Sequence, residues 1–130
     1  MSILDEIRAA GRELQTTCHG AAKDSGWWTD LNTGEPIDPL KNRVVPEKLC
    51  LIHSEVSEGM EGYRKGLMDD KLPHRPMLEV ELADAVIRIA DLCGAMGYDL
   101  GGAIAEKMAF NAKRPDHKPE NRRAAGGKSF

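Results

Sequence analysis

Between Met77 and Gly97 the chain reads MLEVELADAVIRIADLCGAMG, in which Leu78, Leu82, Ala85, Ile89, Leu92 and Met96 recur at spacings of four and three. Only a helix gathers residues so spaced onto one stripe, in the manner of a coiled-coil seam. Val86, Ile87, Ala90 and Cys93 widen the stripe, which predicts the most buried helix of the fold. Pro76 opens it and Gly97 ends it, each suited to that end of a helix. No other segment alternates apolar and polar residues as a half-buried strand would. The expected fold class is all-α.

Three further helices complete the set. Residues 3–21 carry a weaker helical pattern, with Ile3, Ile7, Ala10 and Leu14 on one stripe. A stronger one begins near Pro46, carries Leu49, Ile52, Val56, Met60 and Tyr63, and stops around Arg64, Lys65 and Gly66. A fourth runs over about 99–113, capped by Asp99 and ended before Pro115. The loop 23–43 is long for a small domain, which favours a binding loop over a plain connection. The polar, Pro- and Gly-containing stretch 115–130 is expected to be extended or mobile. Residues 1–114 then form one domain, a four-helix core built on an antiparallel hairpin of about 46–65 and 77–96.

Several function classes are set aside by composition. No apolar run approaches the ~18 residues a membrane span needs, and MSILDEIRAAGRE lacks the apolar region of a signal peptide. Cys18, Cys50 and Cys93 are odd in number and lack metal-ligand spacing, so they read as reduced core thiols in a cytoplasmic protein. The net charge of −3 divides unevenly: residues 1–105 hold 11 Lys/Arg against 18 Asp/Glu, and residues 106–130 hold 7 against 3. An acidic body suits cations and a basic end suits phosphates, unless both are solvated surface. The acidic body argues against nucleic acid as a partner.

The chemistry concentrates in two short motifs. EVSEGMEG sets Glu55, Glu58 and Glu61 at intervals of three, and ELAD sets Glu81 and Asp84 likewise. Residues three apart are neighbours on a helix surface. Counted outward from the connector, the pairs Glu55/Glu58 and Glu81/Asp84 are offset by three residues, roughly 4.5 Å. They can therefore meet at one level across the hairpin. Four carboxylates beside an apolar stripe repel one another unless protons or a hard cation neutralise them. Mg²⁺ takes such oxygen ligands, clamps phosphate oxygens and activates water. The alternative is surface charge on ordinary helices. Lys48, seven residues before Glu55, either reaches a polyphosphate or is solvated. Lys107, Asn111 and Arg114 share a face, as phosphate ligands or as a basic last turn.

SEVSE, then 22 intervening residues, then ELAD resembles the E-x-x-E…E-x-x-D signature of MazG-like nucleotide pyrophosphohydrolases, within the all-α NTP pyrophosphatase superfamily. EKMAFNAKR (106–114) is similar to the K-x-x-x-N-x-x-R element that follows in that family. The resemblance covers roughly 44–114. It implies an enzyme that hydrolyses a nucleoside triphosphate to the monophosphate and pyrophosphate in nucleotide-pool control. It also implies two or three Mg²⁺ ions, with Mn²⁺ as a substitute, held by Glu55, Glu58, Glu81 and Asp84. Lys107, Asn111 and Arg114 would hold phosphates or sugar, and the chain would assemble as a homodimer or a dimer of dimers. One of the acids, or Glu61, would orient the attacking water.

The chain departs from the family where Ser54 precedes Glu55 in place of a doubled glutamate, and where Gly59 and Gly62 replace bulkier residues. Each glycine costs about 1 kcal/mol in a helix interior, so close approach of another helix or of the ligand is expected there. CHGAAKDSGWW resembles an H-G-x-A…G-W-W segment of phage-type members and brings His19, Trp27 and Trp28 into consideration. One tryptophan would stack on the base while the other plugs the core or the dimer interface. His19 either caps the first helix or contacts substrate. The pair leans the substrate toward a purine such as dGTP or GTP, with dUTP or dCTP the alternative. A non-catalytic helical adaptor is the rival class. A ferritin-like di-iron protein is disfavoured, since neither acidic pair is a Glu-x-x-His.

Overall fold

The computed structural model describes all 130 residues. It contains α1 (Ile3–Asp24), α2 (Val45–Lys65), α3 (Met77–Ala95), α4 (Leu100–Ala112) and α5 (Pro119–Arg123), with a 3₁₀ turn at Pro115–His117 and no strand. The chain is all-helical, and no helix is long and apolar enough to cross a membrane. Two compact units divide it: Glu13–Tyr98, and Met1–Arg12 together with Asp99–Phe130.

In the 13–98 unit, α2 and α3 pack against each other. Gly62 of α2 faces Met77, Gly59 faces Leu78 and Glu81, and Glu55 meets Arg88, so the two helices run in opposite directions. A Cβ at Gly59 would lie 3.1 Å from Leu78 Cδ1, and one at Gly62 would lie 2.7 Å from Met77 Cβ. The two glycines therefore let α3 approach, which offsets their low helix propensity. α2 has Pro46 in its first turn and ends on Gly66, whose left-handed backbone (φ 62°) returns its N–H to Gly62 and Tyr63. The connector is closed by a bridge between Met68 and Pro76. Within it the buried Asp69 carboxylate accepts the N–H groups of Lys71 and Leu72.

The buried stripes are not the apolar ones. On α2 the buried residues are Glu55, Gly59 and Gly62, while Leu49, Val56, Met60 and Tyr63 are exposed. On α3 they are Glu81, Ala85 and Ala90, and Leu82, Val86, Ile87 and Ile89 are exposed; α3 is still the least exposed of the long helices, as its pattern predicts, with Leu78, Leu92 and Cys93 half-buried. On α1 Gly11 is the buried residue, with Ile3 and Leu14 exposed. The residue after each buried one on α2 is apolar and outward, turned about 100° around the axis. The seam is built from small and acidic residues because glycine permits the short interhelical distance; the large apolar side chains lie to its side.

The loop is also more structured than its composition suggests. α1 continues to Asp24, and Thr29 and Pro36 form an isolated bridge around a turn held by Asp30, whose Oδ1 accepts the N–H of Asn32 at 2.8 Å. Cys50 is exposed and Cys18 and Cys93 half-buried, all with free thiols. Burial raises both half-buried thiols above the usual cysteine range.

In the other unit, Asp99 caps α4 by accepting the Gly102 N–H at 3.0 Å and takes the Arg12 guanidinium fork at 2.9 and 3.1 Å. The Arg12 hydrogen bonds, with that of Gly102, lower the Asp99 carboxyl to about 2. Residues 115–130, read from the sequence as extended or mobile, contain the 3₁₀ turn and the short α5.

Candidate functional site

The acids of α2 and α3 meet across the seam. Glu55, Glu81 and Asp84 each offer a carboxylate oxygen within 4.8 Å of the other two. Glu55 and Glu81 are each 8% exposed, although glutamate is seldom buried unless paired. Glu81 Oε2 is buried without any hydrogen-bond partner. A hydrogen bond with Glu55, then burial and the nearby Glu58, push the Glu81 carboxyl up to about 8. Burial would raise Glu55 too, but its hydrogen bond with Glu81 and the Arg88 guanidinium outweigh this and hold it below the usual carboxylate range. Burial and the Glu55 charge raise Asp84. The cluster thus keeps a proton on Glu81 that a divalent cation would displace.

Glu55 and Asp84 form part of the wall of two cavities. One, of about 770 Å³, is lined also by Glu58, Glu81, Asp69 and Lys71. The other, of about 780 Å³, is lined by Trp27, Lys48, Arg88 and Asp91, with Val44, Leu51 and Ile87 among its apolar residues. A carboxylate cluster therefore opens onto a mixed apolar and cationic cavity large enough for a small organic ligand.

Asp91, which lines that cavity, is tightly fixed from behind. Trp28 is 6% exposed and donates its Nε1–H to Asp91 Oδ1 at 2.8 Å. His19 Nδ1 donates to the same oxygen at 2.8 Å and meets the Trp28 ring edge-on, with centroids 5.8 Å apart. Gly94 makes room for that imidazole, since a Cβ there would overlap it. Lys48 Nζ lies 4.7 Å from the Trp28 ring centroid, a cation–π contact. Trp27, by contrast, is 69% exposed and lines the cavity. His19 lies within α1 and does not cap it.

The remaining candidates are placed differently. Glu58 is exposed but acts on Glu81. Glu61 is held by Arg64 at 3.1 Å and by Lys65 at 2.9 Å on the outer surface of α2. Lys107, Asn111 and Arg114 belong to the other unit. There Lys107 Nζ lies 4.8 Å from the Phe110 ring centroid, Asn111 Oδ1 is buried without a partner, and Arg114 forks onto Asp116 at 2.8 and 3.1 Å.

Arg88, Asp91 and Asp69 were not singled out by the sequence reading. Glu81, Asp84, Arg88 and Asp91 stand at i, i+3, i+7 and i+10, one polar face of α3. That periodicity was the available signal. Comparison with protein-family models, with curated proteins and with solved structures gives no match.

Proposed function

We propose that this chain is a MazG-like nucleoside triphosphate pyrophosphohydrolase, which cleaves a (d)NTP to the monophosphate and pyrophosphate with Mg²⁺. The observation that carries this reading is the convergence of Glu55, Glu81 and Asp84, two of which, Glu55 and Asp84, line a cavity together with Trp27, Lys48 and Arg88. The unpartnered Glu81 Oε2 and the all-oxygen donor set fit a hard divalent cation. Glu55, Glu81 and Asp84 would hold it, with Glu58 at the margin. Bound there, Mg²⁺ would supply positive charge to phosphate oxygens and acidify a coordinated water.

The chain's own groups supply the rest. Lys48 and Arg88 neutralise phosphate charge as it develops. Trp27 offers a ring face to the base, while the buried Trp28 holds Asp91 in place behind the cavity. Glu58 is better free than Glu61 to orient water, since Glu61 is engaged by two cations. Lys107, Asn111 and Arg114 are proposed to bind phosphate or sugar in the working assembly. That assembly is proposed to be a homodimer or homotetramer in the cytoplasm. Val56, Met60, Tyr63, Leu82 and Val86 are 45% or more exposed, and a second chain is the natural cover for such a surface.

Turnover of the eight common (d)NTPs with and without Mg²⁺ tests the reading. Mg²⁺-dependent hydrolysis that is lost in Glu58→Gln and Glu81→Gln, with helicity unchanged, is the expected result. A helical adaptor would show no turnover to lose.

A further inference from the structure

Asp91 lines the larger cavity and uses its two oxygens unequally. Oδ1 receives both Trp28 Nε1–H and His19 Nδ1–H, each at 2.8 Å, and no donor within the chain reaches Oδ2. Those two bonds fix the carboxylate plane. The donors are themselves locked, Trp28 by burial and His19 by its seat over Gly94. Asp91 is thus an oriented acceptor with one oxygen available, seven residues beyond Asp84 and on the same face of α3. Arg88, a cation with donors on the same cavity, stands between them. Val44 and Leu51 add apolar lining to the same cavity. Acids at one end for a cation and its phosphates, apolar walls, then an acceptor at a distance from the acids: this order matches a nucleotide laid with its base toward Asp91.

We propose that Asp91 is the specificity-determining residue of this cavity: its Oδ2 accepts an N–H from the exocyclic amino group of a nucleobase. The protein then selects guanine, cytosine or adenine nucleotides over their oxo counterparts. The proposal rests on the nucleotide reading of the site given above. An amino group presents hydrogen toward Asp91, whereas an oxo group in its place brings lone pairs against lone pairs. The N3–H of uracil is flanked by two carbonyl oxygens, so presenting it to the carboxylate brings the same repulsion. A site built to hydrogen-bond a ligand group rejects the analogue lacking it because its own buried atom is left unpaired.

The substitution Asp91→Asn is close to isosteric. Its Oδ1 still accepts from Trp28 and His19, and its NH₂ replaces Oδ2, turning the one presented acceptor into a donor. The measurement is calorimetric binding of α,β-imido analogues with Mg²⁺, in the amino/oxo pairs dATP/dITP, dGTP/dXTP and dCTP/dUTP, to wild type and Asp91→Asn. Wild type is expected to bind the amino member about tenfold or more tighter in at least one pair, and Asp91→Asn to abolish or invert that ratio. Equal binding within all three pairs in wild type, or a preference that survives in Asp91→Asn, overturns the proposal. The wild-type comparison stands even if the variant does not fold. Base discrimination in binding without turnover of the natural triphosphates leaves this inference intact and removes the hydrolytic reading. Turnover with equal binding does the reverse.

Discussion

Arg88 Nε donates to Glu55 Oε1 at 2.8 Å, joining α3 to α2 beside two further carboxylates. The guanidinium is 40% exposed and the Glu55 side chain 11%, so the pair couples a solvated cation to a buried anion. In the metal-free protein Arg88 is the counter-charge that makes burying Glu55 tolerable.

Arg88→Met should therefore lower metal-free stability. Allowing for solvent at the half-exposed guanidinium, the loss is about 1–2 kcal/mol. Saturating Mg²⁺ should close most of that gap, because the cation takes over the neutralisation of Glu55. Urea denaturation of both proteins, with EDTA and with Mg²⁺, measures the difference.

Glu81 gives the metal-free protein a pH dependence opposite to that of most carboxylates. Its folded-state carboxyl is raised to about 8 from the ordinary glutamate value of 4.5, so between those values the folded state keeps a proton that the unfolded chain has lost. Stability from this group is full below about pH 4.5, falls as pH rises through the window, and levels above about 8. A fall of at least about 1 kcal/mol between pH 5 and pH 9 is expected, and Glu81→Gln should flatten it. Denaturation at pH 5, 7 and 9 in EDTA reads both. Mg²⁺ binding at pH 7 should release about one proton, detectable by calorimetry in buffers of different ionisation enthalpy.

The two tryptophans should separate cleanly. Trp28→Phe removes a buried hydrogen bond to Asp91 and ring volume, and should cost about 2–3 kcal/mol of stability. Trp27→Ala, at a residue 69% exposed, should change stability by less than about 0.5 kcal/mol while raising KM for the nucleotide several-fold. Thermal unfolding and steady-state kinetics on both variants check the pair.

A charge on the outward face of α2 tests the assembly. Val56 is 51% exposed and Met60 61% exposed, so Val56→Glu should be harmless to an isolated chain. If a second chain covers that face, sedimentation velocity should show wild type at a multiple of 14.3 kDa and Val56→Glu shifted toward the single-chain mass. Wild type running at the single-chain mass contradicts the assembly.

How much of this was legible in the sequence differs by level. The all-helical class, the ends of α2 at Pro46 and Gly66, and the Asp99 cap follow from local chemistry, and the structure has each. The meeting of Glu55 with Glu81 and Asp84 follows from counting residues about a short connector, and those atoms do converge. The buried faces were not legible. Apolar periodicity marks a face that must be covered, not the chain that covers it, and in α2 and α3 Gly59, Gly62 and Ala85 line the seam instead. Asp91 escaped notice because its partners, His19 and Trp28, lie more than 60 residues away in sequence; no local spacing announces such a pairing.

The central claim is that the Glu55, Glu81 and Asp84 cluster serves the cleavage of a nucleoside triphosphate between its α- and β-phosphorus atoms. ³¹P NMR of the reaction with Mg²⁺ tests it most directly, with dGTP and dCTP as first substrates and the remaining (d)NTPs after them. The account predicts a nucleoside monophosphate and pyrophosphate as the only new resonances, absent in EDTA and in Glu81→Gln. Nucleoside diphosphate with inorganic phosphate, or no product from any of the eight triphosphates, would contradict it.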